Sequence, residues 1–462
     1  MPATIIHHHP SSYRDPSGFI FEKNGILYRQ VNKVFKEHFD FFIASGCYEK
    51  LVKKDWLIAH ETVTENLTGD EQWYATLKPE RLSFISYPYE WSFDMLKDAA
   101  LLTLAILKES LASGMILKDA TPYNIQWHTG KLVFIDSLSF EKYDETVPWI
   151  AYRQFCENFL SPLLLAHYSR MPLQEMMLAY SEGIPLAVTK SLLPWWTKFS
   201  IHTYLHIHLH AKYSIKNPSS QTGKNTAFSK KKLLNLVASL EGLITKLKLP
   251  ESKSTWSDYY DEASQRTDYL EHKRTIIQRW LEKIKPVATA ADLGANTGEF
   301  SKLMASKNIQ TIASDFDPNC INALYNEIKK NGEKNIVPII IDFSKPSPAI
   351  GVNNEERDSF IKRTHVDLAL ALALIHHLAI GKNIPLEKIA DLFQKLCNYL
   401  IIEFVPKQDE KIKLMLTGKK DIYTAYKEEN FLSAFQQYFS VLEKETIAGS
   451  ERTIYLMKKN EA

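Results

Sequence analysis

Three aspartates in the second half of this 462-residue chain each close a short apolar run: Asp292 in "TAADLGANTGEF", Asp315 in "TIASDFDP" and Asp342 in "VPIIIDFSKP". An apolar run ending in an acid describes a buried strand that delivers one charged group to a sheet edge, where open α/β sheets hold their ligands. The turn after Asp292 carries Gly294 and Gly298 with Asn296 between them. Loss of Cβ at Gly294 permits a sharp turn, loss at Gly298 lets the next helix approach, and Asn296 tolerates the left-handed conformation. That helix, with Phe300, Leu303 and Met304 on one face, is expected to point free N–H groups at a ligand. The spacing departs from the G-x-G-x-x-G of dinucleotide sites, so a nicotinamide cofactor is not indicated. Asp315 comes at about the 20-residue separation where an acid usually holds a ribose diol, with Asp317 as the alternative. Asp342 can accept from an exocyclic amine, and Phe343 offers a flat apolar wall to an adenine ring. The set describes a nucleoside site without a polyphosphate clamp.

The elements that must position these groups are legible in the same stretch. From Ala290 onward, "TAADL", "TIASD", "VPIIID", "VDLALALAL" and "NYLIIEFV" read as strands covered on both faces, alternating with helical patterns. "VLEKET" and "RTIYLMK" read as an antiparallel pair at the C-terminus. Two helical patterns precede the sheet, "KKLLNLVASLEGLITKLKL" and the segment 259–284. The polar, lysine-rich stretch 214–232 reads as an exposed connector. These breaks predict an N-terminal α+β domain over 1–213, a connector and helix over 214–255, and a second domain over 256–462.

With 56 basic and 54 acidic side chains the formal net charge is +2, which provides no global field for nucleic acid or an anionic membrane. Cys47, Cys156, Cys320 and Cys397 are scattered without a CxxC pair, so a disulfide framework and a zinc ribbon are both unexpected and a reducing cytoplasm fits. No leader pattern and no run of about 18 apolar residues is found, so secretion and membrane spanning are not expected. His202, His206, His208 and His210 lack an accompanying Glu or Cys at ligand spacing and are expected to pack rather than bind metal. His7 to His9 read as a flexible terminal tract.

In order and on successive strands, "DLGANTG", "SDFD" and "IDFS" resemble the motifs of class I S-adenosylmethionine-dependent methyltransferases, from about Tyr259 to the C-terminus. The resemblance implies that the turn of Asp292, Gly294, Asn296 and Gly298 holds the amino-acid portion of S-adenosyl-L-methionine. It further implies that Asp315 holds the ribose, that Phe316 belongs to the same site, and that Asp342 and Phe343 hold the adenine. "VDLALALALIHHL" resembles the family's fourth strand, whose end lies beside the transferred methyl group. There His376 or His377, with a near-neutral pKa, would take the proton from an attacking oxygen or nitrogen; the alternative is stacking on the cofactor. Glu403, Lys407 and Asp409 are expected just beyond the fifth strand, with Glu403 orienting the acceptor. Trp256, Tyr260, Tyr269 and Lys273 would either cover the crevice or serve packing. No NPPY-type motif comes after the fourth strand, which argues against amide or base nitrogen methylation.

"LKDATPYNIQWHTGKLVFIDSLSF" resembles the catalytic loop and metal aspartate of protein-kinase-like phosphotransferases at Asp119, Asn124 and Asp136. This implies ATP and magnesium at the N-terminal domain. Leu117 and Lys118 stand where a His-Arg pair is usual, Ser137 and Leu138 replace Phe-Gly, and Arg29 stands where a lysine is usual. Those departures favour a substrate-recruiting or regulatory domain over a working kinase. "LKDATPYNIQ", "FIDSLSF", "DLGANTG" and "EFVPK" together resemble a bacterial family of fused, nodulation-protein-like methyltransferases along nearly the whole chain. The expectation is an α/β enzyme: a Rossmann-like seven-stranded methyltransferase sheet joined to an α+β, kinase-like N-terminal domain. It would methylate an oxygen or nitrogen of a small or macromolecular acceptor, with no membrane or nucleic-acid partner. The alternatives are a nucleotide-dependent phosphotransferase centred on Asp119 and Asp136, and a non-catalytic cofactor-binding scaffold.

Overall fold

A computed structural model describes residues 7–211, 229–250, 267–284, 286–417 and 421–461. The chain divides into two compact units, Met1–Glu251 with Glu355–Arg357, and Ser252–Asn354 with Asp358–Ala462.

In the first unit, β1 (His7–His8), β2 (Gly18–Lys23), β3 (Ile26–Asn32), β4 (His60–Val63) and β5 (Trp73–Pro79) form an antiparallel sheet in the order β1-β2-β3-β5-β4. The histidines at the start are therefore not the loose tract that their composition predicts: both pair with β2, and the His8 ring stacks on Phe19 at 4.3 Å. Val31, Phe35, Phe39, Leu77 and Leu138 make one apolar cluster. The helix Phe93–Ala112 starts where Ser92 Oγ accepts from Met95 N, and it buries Leu96, Ala100, Leu104, Leu107 and Leu111 at three- and four-residue steps. Four short strands come next: β6 (Met115–Leu117), β7 (Ile125–His128), β8 (Lys131–Phe134) and β9 (Phe140–Lys142). β6 pairs with β9 and β7 with β8, so the loops before β7 and after β8 are drawn together. The helix Lys230–Lys246 belongs to this unit and turns Leu233, Val237, Leu240 and Ile244 inward.

The second unit is a seven-stranded, Rossmann-like α/β sheet made of β10 (Thr289–Leu293), β11 (Gln310–Asp315), β12 (Ile336–Ile340), β13 (Val366–Ala371), β14 (Cys397–Phe404), β15 (Phe439–Thr446) and β16 (Thr453–Lys459). The order is β12-β11-β10-β13-β14-β16-β15, and only β16 runs against its neighbours. Strands apolar on both faces require cover on both sides. On one of them Ile276, Ile277 and Trp280 of the helix Thr267–Lys283 pack with Ala290, Leu368 and Ile401. The chain runs outward from β10 through β11 to β12, then crosses back to β13 on the other side of β10. That reversal puts the topological switch point at the carboxyl ends of β10 and β13, where open α/β sheets hold their ligands. The fourth strand is shorter than its apolar run. It stops at Ala371, and Ala373 takes a φ of 52°, which turns the chain toward His376.

Candidate active site

The loops that leave the adjoining ends of β10 and β13 build the site. Gly294, Asn296 and Gly298 all take positive φ, at 82°, 51° and 80°. The turn is tied to the end of β11, because Gly294 N and Ala295 N both donate to Ser314 O, at 2.8 and 2.9 Å. A Cβ built on Gly298 would lie 2.6 Å from Leu324 Cδ1, so the glycine is demanded by the helix Pro318–Asn331 rather than by the helix that comes directly after it. A Cβ on Gly294 would lie at an ordinary 3.5 Å from Leu374, so there the backbone conformation alone calls for glycine.

Asp315 sits at this edge with a backbone N–H on each oxygen: Asn296 N donates to Oδ2 at 2.8 Å and Asp317 N to Oδ1 at 2.9 Å. Burial pushes its carboxyl up to about 6. Asp317, the alternative, caps the helix Pro318–Asn331 by accepting from Asn319 N at 2.8 Å. Asp292 is buried and accepts from Ser301 Oγ at 2.6 Å, and burial pushes it too up to about 6. Asp342 accepts from Ser344 N and Oγ at 2.9 and 2.6 Å, and Lys382 Nζ stands 3.6 Å away. Phe343 is buried with its ring edge-on to Phe360, whereas Phe316 is 49% exposed.

His376 and His377 stand with ring centroids 4.0 Å apart. His376 is 2% exposed, and its Nδ1 has no hydrogen-bond partner among the described residues. The near-neutral titration expected of the pair does not hold. Burial drives His376 well below the usual histidine range, with His377, Arg452 and Lys273 adding to it. Burial together with Arg452 brings His377 down to about 4. Both are neutral imidazoles at neutral pH.

Glu403 also departs from expectation. It lies within β14, not in a loop beyond it, and is completely buried. Lys273 Nζ is 2.7 Å from Oε2, Tyr269 OH donates to Oε1 at 2.7 Å, and Arg452 Nη1 is 3.4 Å from Oε1. Burial alone would raise this carboxyl, but Lys273 and Arg452 outweigh it and hold it below the ordinary range. Arg452 also grips Asp409 through Nε and Nη2 at 2.7 and 3.0 Å. Arg452 escapes sequence reading because it carries no local motif; the pairing of Thr453 with Phe404 brings it to Glu403. Lys407 pairs with Asp421 at 2.9 Å. Trp256 and Tyr260 lie outside the described residues.

In the first unit Asp119, Asn124 and Asp136 do come together. Asn124 Nδ2 donates to Ser139 Oγ at 3.2 Å, and that hydroxyl donates to Asp136 Oδ2 at 2.5 Å. Burial and the Asp136 charge raise the Asp119 carboxyl. Arg29 Nη1 is 2.5 Å from Asp136 Oδ1. Burial would raise Asp136, but Arg29, Ser139 and the Leu138 N–H hold it below its ordinary range. Its oxygens are engaged by the protein's own donors, which does not fit a magnesium ligand. The described residues include no group of three or more His, Cys, Asp or Glu able to hold a metal ion. The clustered histidines are individually engaged: His202 and His206 meet Ser239 Oγ at 2.8 and 2.9 Å, His208 meets Thr197 Oγ1 at 3.1 Å, and His210 stacks on Tyr152.

No protein-family model matches the chain. Among solved structures it is similar to the PH0226 protein from Pyrococcus horikoshii OT3, at 14% identity, 45% of this chain, 93% of that one and a TM-score of 0.31. It is likewise similar to magnesium protoporphyrin IX methyltransferase (ChlM) from Synechocystis PCC 6803, at 13%, 46%, 90% and 0.30. N-methyltransferase NodS from Bradyrhizobium japonicum WM9 gives 11%, 42%, 97% and 0.30. Scores this low decide nothing, and the fold stands on its strand order and pairing. Nodulation protein NoeA of Rhizobium meliloti (strain 1021) is 35% identical over 464 residues, which cover 97% of this chain and 96% of NoeA. Identity at that level, sustained along both chains, places the protein in one family with nodulation protein NoeA.

Proposed function

We propose that the second unit is an S-adenosylmethionine-dependent methyltransferase acting on an oxygen or nitrogen of its acceptor. One observation carries this reading: Asp315 closes β11 next to the left-handed glycine turn that leaves β10 at the reversal point of the strand order, and a backbone N–H fixes each of its oxygens. A carboxylate so fixed keeps lone pairs for a ribose diol without having to reorganise. Asp342 and the apolar face of Phe343 stand at the end of the next strand, where an adenine would rest. S-adenosyl-L-methionine, when bound there, supplies a methyl group on a sulfonium centre.

This chain's own residues then align the acceptor. His376 and His377, neutral because burial disfavours their charged forms, can accept a hydrogen bond from the acceptor and hold it in line, and the buried Nδ1 of His376 is a nitrogen left for a ligand. Glu403 acts at one remove, anchoring Lys273 and Arg452 beside the histidines. A phosphotransferase reading of the first unit gains no support, since Asp136 is paired with Arg29.

Calorimetric titration of the full chain with S-adenosylhomocysteine tests the reading. Saturable binding that disappears in Asp315→Ala is expected, and retention of binding in that variant would sink the site assignment.

A further inference from the structure

The segment 192–205 of the first unit is folded inside out. Its 3-10 helix Trp195–Phe199 and the helical turns after it bury Thr197, Thr203, His206 and His208. Leu193 and Ile207 are buried with them, but most of the apolar side chains face outward: Trp195 is 70% exposed, Phe199 77% and Ile201 73%, and Trp196, Tyr204 and Leu205 are also exposed. Single exposed apolar residues are ordinary, but contiguous ones on one short segment mark a surface that meets a less polar phase.

The inversion is held from beneath. Thr197 Oγ1 donates to Pro194 O at 2.7 Å and meets His208 Nε2 at 3.1 Å; His206 is fixed between Tyr152 OH at 2.7 Å and Ser239 Oγ at 2.9 Å. Trp195 packs edge-on against Phe199 with centroids 5.7 Å apart, and Trp196 packs edge-on against Tyr168 at 5.1 Å. The aromatic groups are thus presented on an ordered base.

Charge identifies the phase. The total charge of the chain is close to balanced, but the segment that carries the patch is not: from Gly183 to Ala211 the sequence has two lysines, Lys190 and Lys198, and no aspartate, glutamate or arginine. Lys198 stands between Trp196 and Phe199, and Lys190 precedes the patch. His208 beneath is lowered by burial and, after that, by these two lysines. A protein partner would be met by a surface enriched in Arg and poor in Lys. Tryptophan and tyrosine at headgroup depth, aliphatic groups below, and lysines without acids are the combination that an anionic bilayer attracts.

We infer that the exposed face of residues 192–205, flanked by Lys190 and Lys198, is a peripheral docking surface for an anionic lipid bilayer. It lies on the surface of such a bilayer without spanning it, and no described helix is long and apolar enough to cross one.

The test is flotation of the purified full chain with phosphatidylcholine vesicles made with and without phosphatidylglycerol. The chain should float with the anionic vesicles, weakly with the neutral ones, and be partly released by salt. The triple variant Trp195→Ser, Phe199→Ser, Ile201→Ser should partition about tenfold more weakly, and Lys190→Glu with Lys198→Glu should remove the preference for anionic lipid. Val34→Ser, at another exposed apolar side chain of the same unit, should float like the parent. Failure to float on anionic vesicles would overturn the inference, as would equal flotation of the triple variant. A dimer in solution that the triple variant converts to monomer, with no vesicle binding, would assign the face to a second copy of the chain instead.

Discussion

A buried carboxylate that must be charged to hold a ligand writes its own pH dependence. Burial lifts Asp315 to about 6, so on the proposed reading the carboxylate is ionised at pH 7 and becomes protonated as the pH falls through that value. Affinity for S-adenosylhomocysteine should then fall by up to about tenfold per pH unit below about 6, the limit set by one proton. Calorimetry between pH 5 and 8 checks it, and a flat profile would remove Asp315 from the site. For folding the sign is opposite: an acid raised above its unfolded value opposes stability once ionised, so the ligand-free protein gains from this group as pH falls through the same window. Glu403 lies at the other extreme, held charged by Lys273 and Arg452 inside the fold. Glu403→Gln deprives two buried cations of the anion they share. We expect a loss on the order of 3 kcal/mol in urea unfolding, whereas a pair worth nothing would leave the midpoint unchanged.

At the scale of elements, two glycines of one turn make a controlled pair. Both have φ near +80°, so alanine at either site carries the left-handed penalty, about 1 kcal/mol. Only at Gly298 does the new Cβ collide with a neighbour, Leu324 of a packed helix. Gly298→Ala should therefore lower the melting temperature clearly more than Gly294→Ala, and equal losses would show that Leu324 yields freely. The first five strands of this unit were legible because they are mostly continuous apolar runs and the last two because of alternation near the C-terminus, and the observed bounds fall within a few residues of those runs. The fourth strand was overestimated, since "LALALALI" carries nothing that marks the turn at Ala373. Sequence also assigned the close approach at Gly298 to the next helix along the chain, because a local reading cannot see a helix that arrives from twenty residues away.

At the scale of the molecule, two units with separate cores should unfold as two transitions. S-adenosylhomocysteine at a hundred times its dissociation constant should raise the transition of the second unit by about 2.7 kcal/mol. Asp136→Ala, which strips Arg29 of its partner, should lower the other by a few kcal/mol, on the order of 3. Scanning calorimetry of the full chain reads both, and a single merged transition that responds to both changes would show that the units unfold together.

What the sequence by itself determined is the local grammar: apolar runs closed by Asp292, Asp315 and Asp342, a glycine turn between the first two, and so a Rossmann-like sheet. Strand hydrophobicity and turn chemistry act over a few residues, and a linear reading captures them. The tertiary structure decided the rest. It placed Arg452 on Glu403 across 49 residues of sequence, through the pairing of β14 with β16. It took His376 and His377 out of the physiological titration range by burying them beside cations from other elements. It turned Trp195 and Phe199 outward while burying Thr197 and His208. Desolvation and charge pairing depend on which segments meet, and register between distant segments is a property of the packed whole.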